Sequence, residues 1–141
     1  MKLKSFLSII IISIISLSSA LSQSQNLRAE LKALLRKGGY TISTEQYAML
    51  SRGESAYHNK TFYSATEYIV VVYSEEDEVK DIDVYLYDND GSLLVKDTDA
   101  NAFAIIEYSP YLSREMQIVF KNYNCISSYK EYECNLIIAY R

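Results

Sequence analysis

The sequence predicts an all-β fold: an antiparallel, jelly-roll-like β-sandwich of about eight short strands, with one N-terminal amphipathic helix after a signal peptide. Three observations carry this expectation. Apolar residues make up 49% of the 141 residues and charged residues 23%, a globular composition sized for one core. Fourteen Tyr against no Trp, with four Gly and one Pro, suit packed strands better than linkers. From Tyr40 onward the apolar period changes from helical to alternating.

Residues 1–20 read as a secretory signal peptide rather than as fold. Lys2 and Lys4 precede an apolar run from Phe6 to Leu17, and Ser18-Ser19-Ala20 follows as a small-residue cleavage pattern. The run is shorter than the ~20 residues a membrane helix needs, so the expectation is no stable membrane span once the signal is removed. The alternative is an uncleaved N-terminal anchor. Cleavage after Ala20 removes Lys2 and Lys4 and leaves 121 residues with 12 basic against 18 acidic, a net charge of -6. Such a chain is a poor partner for nucleic acid, whose phosphates demand a basic surface. The expected location is periplasmic or secreted.

Residues 21–39 hold the helix. Leu27, Leu31, Leu34 and Leu35 put one apolar face on the segment from about Asn26 to Lys37, Asn26 can cap its start, and Gly38-Gly39 ends it. Arg28, Lys32 and Arg36 line the other face, which is expected to be solvated.

Residues 40–141 hold the sandwich. A loosely alternating stretch from Tyr40 to Leu50 is followed, after Arg52-Gly53-Glu54, by a second candidate strand from Ser55 to Phe62. The continuous run Tyr68 to Tyr73 marks a central strand covered on both faces. Ile82, Val84 and Leu86 then share one face of a strand whose other face carries Asp83, Tyr85 and Tyr87. Asp88-Asn89-Asp90-Gly91 supplies turn chemistry before Leu93-Leu94-Val95. Phe103 to Tyr108, Met116 to Asn122 and Cys134 to Tyr140 complete the set.

The segment Asp81-Ile82-Asp83-Val84-Tyr85-Leu86-Tyr87-Asp88-Asn89-Asp90-Gly91, with Asp97-Thr98-Asp99 after the next strand, resembles the central signature of bacterial pre-peptidase C-terminal domains. In that family an alternating Asp/Leu/Tyr strand runs into an Asp/Asn/Gly turn. The resemblance covers roughly Tyr68 to Arg141 and makes the last two strands similar to the family's closing hairpin. It implies a jelly-roll-like accessory module of exported proteins, one with no peptidase activity of its own.

A single His and two Cys leave little material for a His-based triad or a clustered zinc site. The acidic residues offer the other plausible chemistry. Asp81, Asp83, Asp97 and Asp99 are the candidate ligands for a metal, calcium by preference, since hard cations take oxygen donors from loops; no cofactor is required. An EF-hand is excluded, because Leu86 stands where its first ligand would be. Tyr85, Tyr87 and Tyr111 are the candidate ligand-binding residues, each ring pairing apolar area with a polar tip. His58 has no second His to work with.

Cys125 and Cys134 are expected to form a disulfide. Export favours oxidation, two Cys allow one pairing, and the bridge would pin the connection of the last hairpin at its base. A loop of about ten residues would contribute roughly 2 to 3 kcal/mol.

The functional expectation is an exported, non-enzymatic accessory or binding module with no catalytic residues, taking a protein or glycan ligand outside the cytoplasm. Two alternatives stand beside it. A small secreted hydrolase would need acidic residues paired in a cleft, and a structural or assembly protein of the cell envelope would need an exposed apolar patch or open sheet edge.

Overall fold

A computed structural model describes residues 27–141; the expected signal peptide and the Asn26 cap lie outside the described residues. The helix α1 spans Leu27–Lys37 and is followed by eight strands: β1 (Thr41–Leu50), β2 (Ser55–Phe62), β3 (Tyr68–Tyr73), β4 (Val79–Asp88), β5 (Leu93–Asp97), β6 (Phe103–Tyr108), β7 (Arg114–Cys125) and β8 (Tyr132–Tyr140). They form two four-stranded antiparallel sheets. The first has the order β1-β8-β3-β6 and the second β2-β7-β4-β5, which is the strand order of a jelly roll.

Among the described strands only β4 and β5 are consecutive within one sheet; every other connection crosses between sheets. Asp88-Asn89-Asp90-Gly91 makes that one hairpin. Gly91 donates to the Asp88 carbonyl at 3.0 Å with φ +84°, a left-handed conformation that suits Gly.

Alternation along the strands builds the core between the sheets. Ile82, Val84 and Leu86 from β4 meet Ile118 from β7 and Leu136 from β8, all fully buried. Fully burying one such side chain contributes about 1.5–3 kcal/mol. On β3 successive side chains serve two cores, as its unbroken apolar run requires. Tyr68, Val70 and Val72 point between the sheets, while Ile69, Val71 and Tyr73 pack under the helix with Leu31 and Leu35.

The helix is bound more firmly than its apolar stripe alone requires, and its basic face is not merely solvated. Arg28 reaches Asn135 Oδ1 and Tyr73 Oη and pairs with Glu133 at 3.8 Å, while its backbone N–H donates to Glu75 at 3.1 Å. Lys32 pairs with Glu45 of β1 at 2.6 Å. Beyond the far end, Arg141 donates to the Gly38 carbonyl at 2.9 Å and to Glu67, which also accepts from Tyr40 Oη at 2.8 Å. The middle of the first sheet is thus covered on both faces, while Tyr47 and Met49 at the β1 edge stay exposed.

The expected closing hairpin and its disulfide are corrected by this topology. β7 pairs with β2 and β4, and β8 pairs with β1 and β3, so Cys125 and Cys134 lie in opposite sheets. Facing sheets stand about 10 Å apart, whereas a bridge needs Cα atoms within ~7 Å. Both thiols are buried and free, and Cys125 Sγ donates instead to the Ser127 carbonyl at 3.1 Å.

Candidate functional site

Among the described residues no helix lies over the outer face of the second sheet, and strand register decides what that face displays. On β4 the residues between the core positions, Asp83, Tyr85 and Tyr87, face outward. Tyr85 stands opposite Val119 of β7 and Lys96 of β5, and Val119 stands opposite Tyr57 of β2. One row across all four strands therefore reads Tyr57, Val119, Tyr85, Lys96. The neighbouring row reads Asn59, Gln117, Tyr87, Leu93. Tyr57 is 72% exposed and Tyr123, further along β7, 55%, while Tyr85 and Tyr87 are half-buried.

The rings are held in place by local contacts. Tyr85 and Tyr87 lie 6.3 Å apart between centroids with planes 20° from parallel. Tyr85 Oη donates to Asp83 at 2.9 Å. Burial, with this carboxylate as hydrogen-bond acceptor and negative neighbour, pushes the Tyr85 phenol up to about 12. Lys121 Nζ sits 5.3 Å over the Tyr123 ring, a cation–π contact.

At the Tyr87 end the face dips into a shallow depression of about 440 Å³ lined by Asn59, Tyr87, Asp88, Asn89, Gly91, Glu115, Met116 and Gln117. Gln117 donates to Asn59 Oδ1 at 3.2 Å, which fixes both amides beside the ring. Asp88, although buried, is paired with Arg114 at 2.7 Å and accepts from the Asn89 N–H at 2.7 Å. Amide donors and acceptors beside an aromatic ring suit a polyhydroxylated ligand, which needs both hydrogen bonds and an apolar surface.

Of the expected ligand-binding residues, the structure brings Tyr85 and Tyr87 together and leaves Tyr111 apart. Tyr111 is 89% exposed between β6 and β7 and does not line the depression. Alternation within β2 and β7 already put Tyr57, Asn59, Gln117 and Val119 on single faces, but nothing in the chain said that β2 would lie beside β7. His58 points inward on β2, opposite Ile118, and burial lowers its pKa.

Of the four candidate metal ligands, Asp83 and Asp97 serve hydrogen bonds within the fold. Asp81 sits at an irregularity of β4 with Oδ1 buried and unpartnered, and burial, helped by Asp83, raises its pKa. Asp97 accepts from the Ile105 N–H at 2.9 Å and from the Asp99 N–H at 3.1 Å. Asp83 accepts from Tyr85 Oη, so the committed oxygens are those of Asp83 and Asp97. Among the described residues no group of three or more His, Cys, Asp or Glu is arranged to hold a metal ion. Nor is any helix there long and apolar enough to cross a membrane.

No family model matches the chain, and no curated protein matches it. Among solved structures, a de novo designed double-stranded beta-helix determined by solution NMR is 11% identical, with a TM-score of 0.35 over 70% of this chain and 100% of that one, a likeness too distant to bear on function.

Proposed function

We propose that the chain is an exported, non-enzymatic glycan-binding module of the accessory kind implied by its resemblance to pre-peptidase C-terminal domains, acting in the periplasm or outside the cell. The observation that carries this reading is the asymmetry of the sandwich. The middle of its first sheet is buried beneath α1, whereas its second presents Tyr57, Tyr85 and Tyr87 in register with the Asn59 and Gln117 amides. Sugar rings stack their C–H faces on aromatic rings and take hydrogen bonds from planar amides, and this face offers both within one strand spacing.

Affinity electrophoresis through gels containing a panel of neutral and acidic polysaccharides tests the reading. The chain is expected to be retarded by at least one of them, and Y57A and Y87A to lose most of that retardation while keeping the parent melting temperature. Free migration in every gel contradicts it.

A further inference from the structure

Tyr111, which the open face does not use, belongs to a second exposed surface at one end of the sandwich. Two connections cross between the sheets there, 63–67 from β2 to β3 and 109–113 from β6 to β7. Register sets them side by side in both sheets, since Phe62 stands opposite Arg114 and Tyr68 opposite Tyr108. Hydrogen bonds then join the two loops: Ser113 Oγ accepts from the Ser64 N–H at 2.8 Å and donates to Ser64 Oγ at 3.2 Å. Phe62 packs against the Tyr68 and Tyr108 rings beneath them, and Tyr68 Oη accepts from the Tyr63 N–H at 2.9 Å. The tip thus stands on an aromatic base.

What the tip displays is apolar and uncharged. Tyr63, Tyr111 and Leu112 are 61%, 89% and 59% exposed, and residues 63–66 and 109–113 include no Asp, Glu, Lys, Arg or His. Charge begins directly after each loop, where Glu67 pairs with Arg141 and Arg114 with Asp88. Asp90, Glu107 and Glu115 add carboxylates on the flanking β4–β5 turn, β6 and β7. The opposite end differs. There the exposed Ile126 and Tyr129 share their loop with Lys130 and Glu131, and Lys130 pairs with Glu76 and Glu78.

We infer that this tip inserts Tyr63, Tyr111 and Leu112 into the surface of a zwitterionic phospholipid membrane. Three projecting side chains fall short of the about 800 Å² that a stable protein interface takes from each partner. They do suit a bilayer interface, where Leu enters the acyl region and a Tyr ring lies with its body in apolar surroundings and its hydroxyl among the head groups. An anionic surface is disfavoured, because the tip has no cation of its own, the adjoining Arg114 and Arg141 are paired, and carboxylates flank them. A zwitterionic head group instead offers its ammonium to the Tyr rings and to those carboxylates. The contact is independent of the glycan reading, which uses the outer face of the second sheet.

The sequence has no Trp, so one introduced indole reports which part of the chain meets a membrane. With vesicles of phosphatidylcholine brominated in its acyl chains, L112W emission is expected to shift to the blue and to be quenched roughly twofold, as burial of an aromatic ring at the interface requires. Raising the salt to about 1 M, where the Debye length is ~3 Å, is expected to leave both changes in place. I126W, at the opposite end, should stay unquenched, and adding Y63S/Y111S to the L112W chain should abolish the quenching without shifting the melting temperature. L112W emission that vesicles leave unchanged overturns the inference. So does equal quenching of L112W and I126W, since a chain held through residues 1–20 alone would present no preferred end. Quenching that appears only with phosphatidylglycerol vesicles overturns the zwitterionic assignment, and a blue shift that grows with chain concentration in the absence of vesicles overturns the lipid in favour of a second copy of the chain.

Discussion

Tyr85 donates its phenolic hydrogen to Asp83, two residues back on the same strand, at 2.9 Å. The bond ties the central ring of the proposed binding face to a carboxylate that is 3% exposed. Removing the hydroxyl leaves that carboxylate short of a donor, so Y85F is expected to lose about 1 to 3 kcal/mol in urea unfolding. The parent phenol, raised from 10.0 to about 12, binds its proton more tightly folded than unfolded. Its contribution is therefore fully present below pH 10 and lost as the pH rises through about 12. The alkaline limb of the stability profile should flatten in Y85F.

Helix α1 is expected to behave as part of the domain. Leu35 is fully buried against the outer face of the first sheet. L35A should cost about 2 to 5 kcal/mol, by lost burial and the cavity left behind. Amide exchange in 27–37 of the parent should be slow, and rates equal to those of a free helical peptide would contradict the packing.

Glu67 predicts the acid limb. The Arg141 guanidinium, followed by the Tyr40 hydroxyl, holds its carboxyl below the ordinary 4.5. A depressed folded pKa contributes stability above the unfolded value and loses it as the pH falls through the folded one. E67Q should therefore be less stable than the parent at pH 7 and converge on it as the pH falls below the ordinary carboxylate range, as read by thermal melts across pH.

The two thiols should titrate as free. Burial pushes the Cys134 thiol up to about 12, leaving almost no thiolate at neutral pH. A disulfide-exchange reagent is expected to find no reactive thiol in the native chain and two after denaturation without reductant. No thiol after denaturation would contradict the free pair.

The sequence reveals the elements of this fold more readily than the pairing between them. Side chains alternate with period two, so Ile82, Val84 and Leu86 declare a buried face without reference to any partner strand. Pairing is non-local, and six of the seven connections between the described strands cross from one sheet to the other. Met116 to Asn122 and Cys134 to Tyr140 therefore look like a hairpin in sequence yet lie in opposite sheets, and the disulfide expectation fails with the hairpin. The same limit applies to the site. Tyr85 and Tyr87 are visible on one strand, but Tyr57 and Gln117 join them only through register. Tyr111 drops out because exposure in a loop does not place it on the sheet.

The central claim is that the open face of the second sheet is the binding surface, and amide chemical-shift mapping tests it most directly. On titration of the isotopically labelled chain with short oligosaccharides of the polysaccharide that retards it most, the largest shifts are expected at Tyr57, Tyr85, Tyr87, Gln117 and Val119, with little change in 27–37 or along β3. Shifts confined to the loops at the ends of the sandwich, or to the helix-covered sheet, would contradict the account.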